Sequence, residues 1–209
     1  MDQVFLSTAY LAPVQYYTKL FAANQVWLEA CDNYIKQTYR NRCTIAAANG
    51  PMTLSIPIVK PSTHKCLTRD IEISDHGNWR HLHWNAITSA YNSSPYFEYY
   101  IDDFAPFYER KHTFLVDFND ELRELICSLL DVSPIISKTT AYAEPFENDY
   151  RSLIHPKQIG TDPQFDPQPY YQVFKAKFGF TPNLSIIDLL FNKGPESLLV
   201  LRDSVKLID

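Results

Sequence analysis

The sequence predicts an α/β protein: a mainly parallel sheet with a βαβ start, a β-hairpin, flanking helices and a helical C-terminal part. Three observations carry this. The stretches QVFLSTAY (3–10), PVQYYTKLFAAN (13–24) and QVWLEAC (25–31) read as strand, short helix, strand, an order that favours parallel pairing. Two extended runs in RCTIAAANGPMTLSIPIV (42–59) flank Asn49-Gly50, the strongest short hairpin signal, because both residues tolerate positive φ. Apolar residues then recur at helical spacing through most of the remaining chain.

Taken in order, the first helix places Val14, Tyr17, Leu20 and Phe21 on one face, and Pro13 suits a first helical turn. TRDIEIS (68–74) is a further strand candidate with alternating Ile71 and Ile73. From 78 the pattern turns helical: Trp79, His83, Ala86, Ile87 and Ala90 fall within about 60° of one direction. Pro95 breaks this helix and a second is expected over 96–111. NDELRELICSLLDV (119–132) is amphipathic, with Asn119 or Asp120 as the expected cap. SPIISKTTAYA (133–143) is another strand candidate. YYQVFKAKFGF (170–180) reads as helical, and SIIDLLFNKG (185–194) carries a capping-box start at Ser185 with Asp188 and a stop at Gly194, after which Pro195 can open a last helix. No internal repeat is present, and residues 1–209 are expected to form a single domain. The segment 144–169 has five prolines and no periodicity, a length that marks a lid or binding loop.

Composition removes several classes. The net charge is −5, the wrong sign for a general nucleic-acid binder. No run of ~18 apolar residues spans a membrane, and no basic region precedes an apolar run at the amino terminus, so a cytoplasmic location is expected. Cys31, Cys43, Cys66 and Cys127 form no CxxC pair and no zinc spacing, which fits reduced, buried thiols. With five glycines in all, there is no GxGxxG, no P-loop and no GxSxG elbow, so the cofactor is left unknown.

The stretch DNYIKQTYRNRC (32–43) concentrates Lys36, Arg40 and Arg42, the phenols of Tyr34 and Tyr39, and the amides of Asn33, Gln37 and Asn41. It begins where the second predicted strand ends, and ligands of open parallel sheets bind at the carboxyl ends of strands. If the chain there is extended, Arg40 and Arg42 face one side, and two planar forks suit a phosphate or carboxylate. A salt-bridged surface turn is the other reading. Glu29 and Asp32 can bind a hydroxyl, orient a histidine, or pair with Lys36 or Arg40. His81 and His83 splay apart on a helix at i, i+2, which argues against a metal site. His83, on the apolar face, is either a hydrogen-bonded core histidine or a base lining a pocket.

The combination EACDNYIKQTYRNR (29–42), TAYLAP (8–13), Trp79 with His83, Tyr91 with Pro95, Tyr96 and Phe97, and GFTPNLSIIDLLFNKGPE (179–196) resembles the WbqC-like family of bacteria. Tyr10, Leu11 and Pro13 match the family's QPxYLP-type turn, although its leading Gln-Pro is missing here; Asp32, Tyr34, Lys36, Gln37, Asn41 and Arg42 match its second motif. Some members are encoded among genes for surface polysaccharide (O-antigen type) synthesis, and a glycine-transferase role on a sugar has been suggested for one branch. The resemblance implies a transferase moving a small acyl or aminoacyl group, such as glycyl, onto an activated sugar. His83 would be the base, oriented by Asp32 or Glu29. Arg40 and Arg42 would hold phosphate or carboxylate, and Tyr10, Tyr34, Lys36, Gln37 and Asn41 would bind the substrate, with 144–169 closing over it. A nucleotide-sugar or polar-metabolite binding module without chemistry is the alternative.

Overall fold

A computed structural model of the chain describes residues 1–61, 65–145, 147–157 and 161–206. Strands β1 (Gln3–Ser7) and β2 (Gln25–Glu29) lie parallel, in register from Gln3 opposite Gln25 to Ser7 opposite Glu29. Helix α1 (Val14–Ala22) crosses between them and starts just after Pro13. Val4, Leu6, Val26 and Leu28 alternate into the core, as one face of a pleated sheet requires. The third parallel strand, β5 (Ile136–Lys138), lies on the other side of β2, giving the order β1-β2-β5. It is shorter than the 133–143 run suggested.

The free edge of β1 is not left open. The backbone N–H of Phe5 donates to the Asn148 carbonyl at 3.0 Å, and that of Tyr150 to the Phe5 carbonyl at 2.9 Å. Part of the proline-rich segment therefore docks as a short parallel bridge at Asp149. An unpaired strand edge is a template for wrong pairing, and this contact blunts it while fixing where residues 149–151 stand.

The hairpin forms a second sheet, β3 (Arg42–Ala47) against β4 (Gly50–Ser55). The loop is Ala48–Asn49, one position earlier than the Asn-Gly pair implies. Gly50 pairs with Ala47 and takes φ 108°, a conformation open to glycine at no steric cost. The 68–74 segment is not a full strand. It opens with a 3-10 turn, Thr68–Asp70, and pairs only through isolated bridges at Glu72 and Ile73. The backbone donors of Thr68 and Arg69 go instead to the carbonyls of Asp32 and Ala30.

Helices α2 (Trp79–Tyr91) and α3 (Phe97–Glu109) flank the Pro95 break. Helix α4 (Leu115–Leu129) starts four residues before the expected cap. Asn119 and Asp120 are buried within it, and the Asn119 amide is used for tertiary contacts. Over 170–180 only the short α5 (Lys175–Phe178) forms. The chain around it is held by Gln172, whose side-chain amide both donates to and accepts from the Thr181 backbone. Helix α6 (Ile186–Lys193) starts after Ser185 and ends at Gly194, as expected. The Ser185 hydroxyl, however, donates to the Leu11 carbonyl at 2.7 Å rather than capping α6. A 3-10 turn containing Pro195 leads into α7 (Ser197–Asp203). No described helix is long and apolar enough to cross a membrane.

The core runs from Val4 to Leu201. Within it, Asp188 of α6 accepts from Tyr91 (3.0 Å), Tyr170 (2.8 Å) and Gln172 (3.0 Å). Burial pushes its carboxyl up to about 6, despite those three donors. The folded form thus binds its proton more tightly than the unfolded chain. This stabilisation is full below the unfolded value near 3.8 and is lost as pH rises through about 6. Relative to Asp188→Asn, the native protein should gain about 2 kcal/mol between pH 7 and pH 4. Urea denaturation of both proteins across that range checks this, and a difference independent of pH refutes it.

Lys19, with its side chain fully buried, pairs with Asp162 at 2.7 Å and lies 4.5 Å from the Tyr150 ring centroid. This pair ties the far end of the proline-rich segment to α1. Removing one partner strands the other charge, so Lys19→Met should cost about 3–5 kcal/mol, whereas Lys19→Met with Asp162→Leu should recover most of it. Chemical denaturation of the single and double variants measures both.

Candidate functional site

The carboxyl ends of the parallel strands gather the ionic groups. Glu29 ends β2 and is 0% exposed. It accepts from the Cys31 amide (2.8 Å), the Thr139 hydroxyl (2.7 Å), the Ala143 amide (3.0 Å) and Arg151 Nη1 (2.8 Å). Arg151 also grips Asp149 with two parallel bonds, Nε to Oδ1 at 2.9 Å and Nη2 to Oδ2 at 2.6 Å. One residue past the end of β1, Thr8 accepts from Asn119 Nδ2 at 3.1 Å; the same amide donates to the Arg40 carbonyl at 2.8 Å. Arg40 is 4% exposed. Its guanidinium donates to Ser7 Oγ at 2.8 Å, to Thr38 Oγ1 at 3.3 Å and to Asp32. The other Asp32 oxygen accepts from the Thr68 hydroxyl. Gln37, at φ 62°, makes the reversal that brings Arg40 back beside Asp32.

Beside this network lies a cleft of about 590 Å³ with Asp32, Thr38, Arg40, Asp149, Arg151 and His155 on its walls. Tyr142 and Ile35 also line it and are exposed. The Arg151 guanidinium lies 5.4 Å from the Tyr142 ring centroid. His155 accepts at Nδ1 from the Lys157 amide at 3.1 Å, so the neutral ring carries its proton on Nε2. Burial and the charges of Lys157, Arg40 and Arg42 hold its pKa below the ordinary value. At neutral pH this imidazole is therefore a hydrogen-bond donor rather than a cation.

Of the residues singled out from the sequence, the structure brings Asp32 and Arg40 into the cleft and sets Glu29 directly behind Arg151. Lys36 and Gln37 are exposed on the turn. Tyr34 is half-buried, with its phenol pushed up to about 12 by burial. Asn41 is buried and donates to the Ile56 carbonyl at 2.8 Å, anchoring the hairpin. Arg42 opens β3 opposite Ser55, near enough for its charge to act on His155 and Tyr34.

Tyr10 and His83 do not reach the cleft. Both are buried, with the Tyr10 hydroxyl 2.9 Å from His83 Nδ1 and 2.9 Å from the Tyr108 hydroxyl. The His83 ring also donates to the Ser55 carbonyl and packs edge-on to Trp79 at 5.1 Å. Burial drives its pKa down to about 4, so the ring is neutral and both its polar atoms are engaged. His81 is exposed on the opposite side of α2, paired with Asn85.

Sequence reasoning did not name Thr38, Tyr142, Asp149, Arg151 or His155. The last three sit in the segment flagged as a lid or binding loop. Their available signal was an Asp-x-Arg pair in a stretch with no periodicity to bury it.

Fold and cleft together define an α/β protein with arginine–carboxylate pairs set across the carboxyl edge of a parallel sheet. The sequence model of the WbqC-like protein family matches residues 8–163 and 161–200, and the chain belongs to that family. It is similar to the uncharacterized protein Rv1507c of Mycobacterium tuberculosis (strain ATCC 25618 / H37Rv), at 29% identity over 195 residues, covering 81% of this chain and 84% of that one. No solved structure matches it.

Glu29→Gln should cost about 1–3 kcal/mol, since an amide cannot accept from all four donors. The Cys31 and Ala143 amides should exchange with deuterium faster than in the native protein. Unchanged exchange at both would show that Glu29 does not hold these segments.

Proposed function

We propose that the cleft binds an activated sugar, one carrying phosphate, and that a small acyl or aminoacyl group is transferred to it there. The observation that supports this reading is the presence of Arg40 and Arg151 in one cleft, both held by carboxylates before any ligand arrives. Guanidinium planes fixed in this way bind phosphate oxygens with little ordering cost. The volume falls in the range of small-molecule sites, and the exposed Tyr142 offers a face for a sugar or base.

In the transfer, an O–H or N–H of the sugar attacks the acyl carbonyl carbon. A new acyl–O or acyl–N bond forms, the bond to the donor's carrier breaks, and the proton passes to the departing atom, with no change of oxidation state. His155 Nε2–H suits donation to the carbonyl oxygen, where charge develops. His83 acts here as a positioning residue. It holds Tyr10, whose amide donates to the Tyr39 carbonyl at 2.8 Å and steadies the turn before Arg40. The binding-module reading is favoured by one observation: Asp32 and Asp149 are each paired with an arginine, so neither is free to act as a base.

Calorimetric titration with nucleotide sugars, with mass analysis of mixtures containing acyl and aminoacyl donors, tests both readings. Native protein should bind a nucleotide sugar, and Arg151→Met should weaken it roughly 10–100-fold, the worth of a hydrogen bond to a charged group. Acylated product establishes the transferase, binding without product establishes the module, and no binding of any phosphorylated sugar removes the reading.

A further inference from the structure

Resting on that reading, we propose that the acyl donor enters by a second hollow, separated from the arginine cleft by His155, and that it is a thioester on an uncharged, amide-bearing arm. The second hollow has a volume of about 400 Å³. Among the described residues, His155 is the one common to both linings. The wall between them alternates along the chain. Thr38 and Arg40 line the arginine cleft and Tyr39 the second hollow; Arg151 and Ser152 line the first and Leu153 the second. A sugar held by the arginines and a donor in the hollow would thus meet at the His155 imidazole.

The chemistry of the hollow differs from that of the cleft. Among the described residues, no lysine or arginine lines it, and Asp162 is the one carboxylate that does. Asp162 is matched by Lys19 at 2.7 Å and accepts from Gln15 Nε2 at 2.9 Å. Gln15 and Asn183 are bonded to each other, Asn183 Nδ2 to Gln15 Oε1 at 3.1 Å. The remaining walls include Tyr39, Leu153, Phe165 and prolines 156, 167 and 182, with the hydroxyls of Thr44 and Thr181. A phosphate would find no cation among the described lining residues and would face Asp162, which already engages Lys19. A chain of methylenes and amides matches both the apolar walls and the neutral polar groups. In the reaction, the sugar's O–H or N–H attacks the thioester carbonyl, the C–S bond breaks, and the thiol leaves with the proton.

The probe is S-acetyl-N-acetylcysteamine, a small neutral thioester, titrated by saturation-transfer NMR. The proteins are native, Thr44→Tyr and Leu153→Trp, which fill the hollow from different walls. The probe should bind native protein, and lose roughly tenfold or more affinity when the hollow is filled. Nucleotide-sugar affinity should stay within about twofold in the filled variants, because the sites share no altered residue. That unchanged binding also shows that a filled variant is folded. Probe binding that survives both fillings, competition between probe and nucleotide sugar, or no probe binding up to its solubility limit overturns the inference. If the nucleotide sugar binds in those cases, the cleft reading stands without it; if the sugar fails while the probe binds, the cleft reading falls and the hollow remains.

Discussion

A carboxylate buried at 0% exposure is the constraint on which the site depends. Glu29 ends a central strand, where taking an isolated charge out of water costs several kcal/mol after relaxation. That cost is offset only if donors converge on both oxygens. Here they come from Cys31, from Thr139 and Ala143 after β5, and from Arg151 in the proline-rich segment. Three stretches of chain that share no periodicity are thereby located by one side chain. The parallel bridge between Phe5 and Asp149 fixes the same segment from the other edge of the sheet. Arg151 therefore has little freedom, and with it the wall of the cleft.

Arg40 is placed by a comparable argument from the other side. Its backbone is held by Asn119, deep in α4, and its guanidinium by Ser7 and Asp32 at the ends of β1 and β2. Burial of a charged pair is weak evidence for stability, since apolar replacements often do as well. It is better evidence for geometry. Two arginines each held by several oriented partners present a rigid surface to a ligand, and the pairs keep the cleft from carrying a large uncompensated charge in an acidic protein.

The regular elements were legible from apolar runs and the residues that punctuate them. The strand, helix, strand order over 3–31, and the helix bounds marked by Pro13, Ser185 and Gly194, correspond to what formed. Misplaced boundaries have a common cause. Asn119 looked like a cap because it is polar before an apolar run, but its amide serves Thr8 and Arg40 across the fold. Ile71 and Ile73 are buried as alternation required, yet Thr68 and Arg69 donate to the Asp32 and Ala30 carbonyls, and the run became a turn with isolated bridges. Tertiary partners redirected local preference in both cases. The cleft was half legible: Asp32 and Arg40 were found by charge density at a strand end. Arg151 and His155 belong to a segment where only residue type speaks, and type alone does not say which residues meet.

The family motifs around His83, Tyr91, Tyr96 and the closing helix show why resemblance points first to packing. Tyr91 donates to Asp188, and the rings of Tyr91, Phe97 and Phe104 meet Phe191 edge-on at 5.1–5.4 Å. Tyr96 lies so close to Gly194 that an added Cβ would come within 2.4 Å of its ring, at a position whose φ of 52° already favours glycine. His83 belongs to this system, as a neutral ring shared between Tyr10 and Ser55. A histidine with both nitrogens engaged and a pKa near 4 is well suited to hold a strand turn against a helix. Such a ring is poorly suited to take a proton at neutral pH. The imidazole that faces the arginine cleft is His155, which comes from the least patterned part of the chain. Dense packing constrains many positions at once and leaves a signature spread over motifs, whereas a binding cleft needs only a few groups delivered to one place.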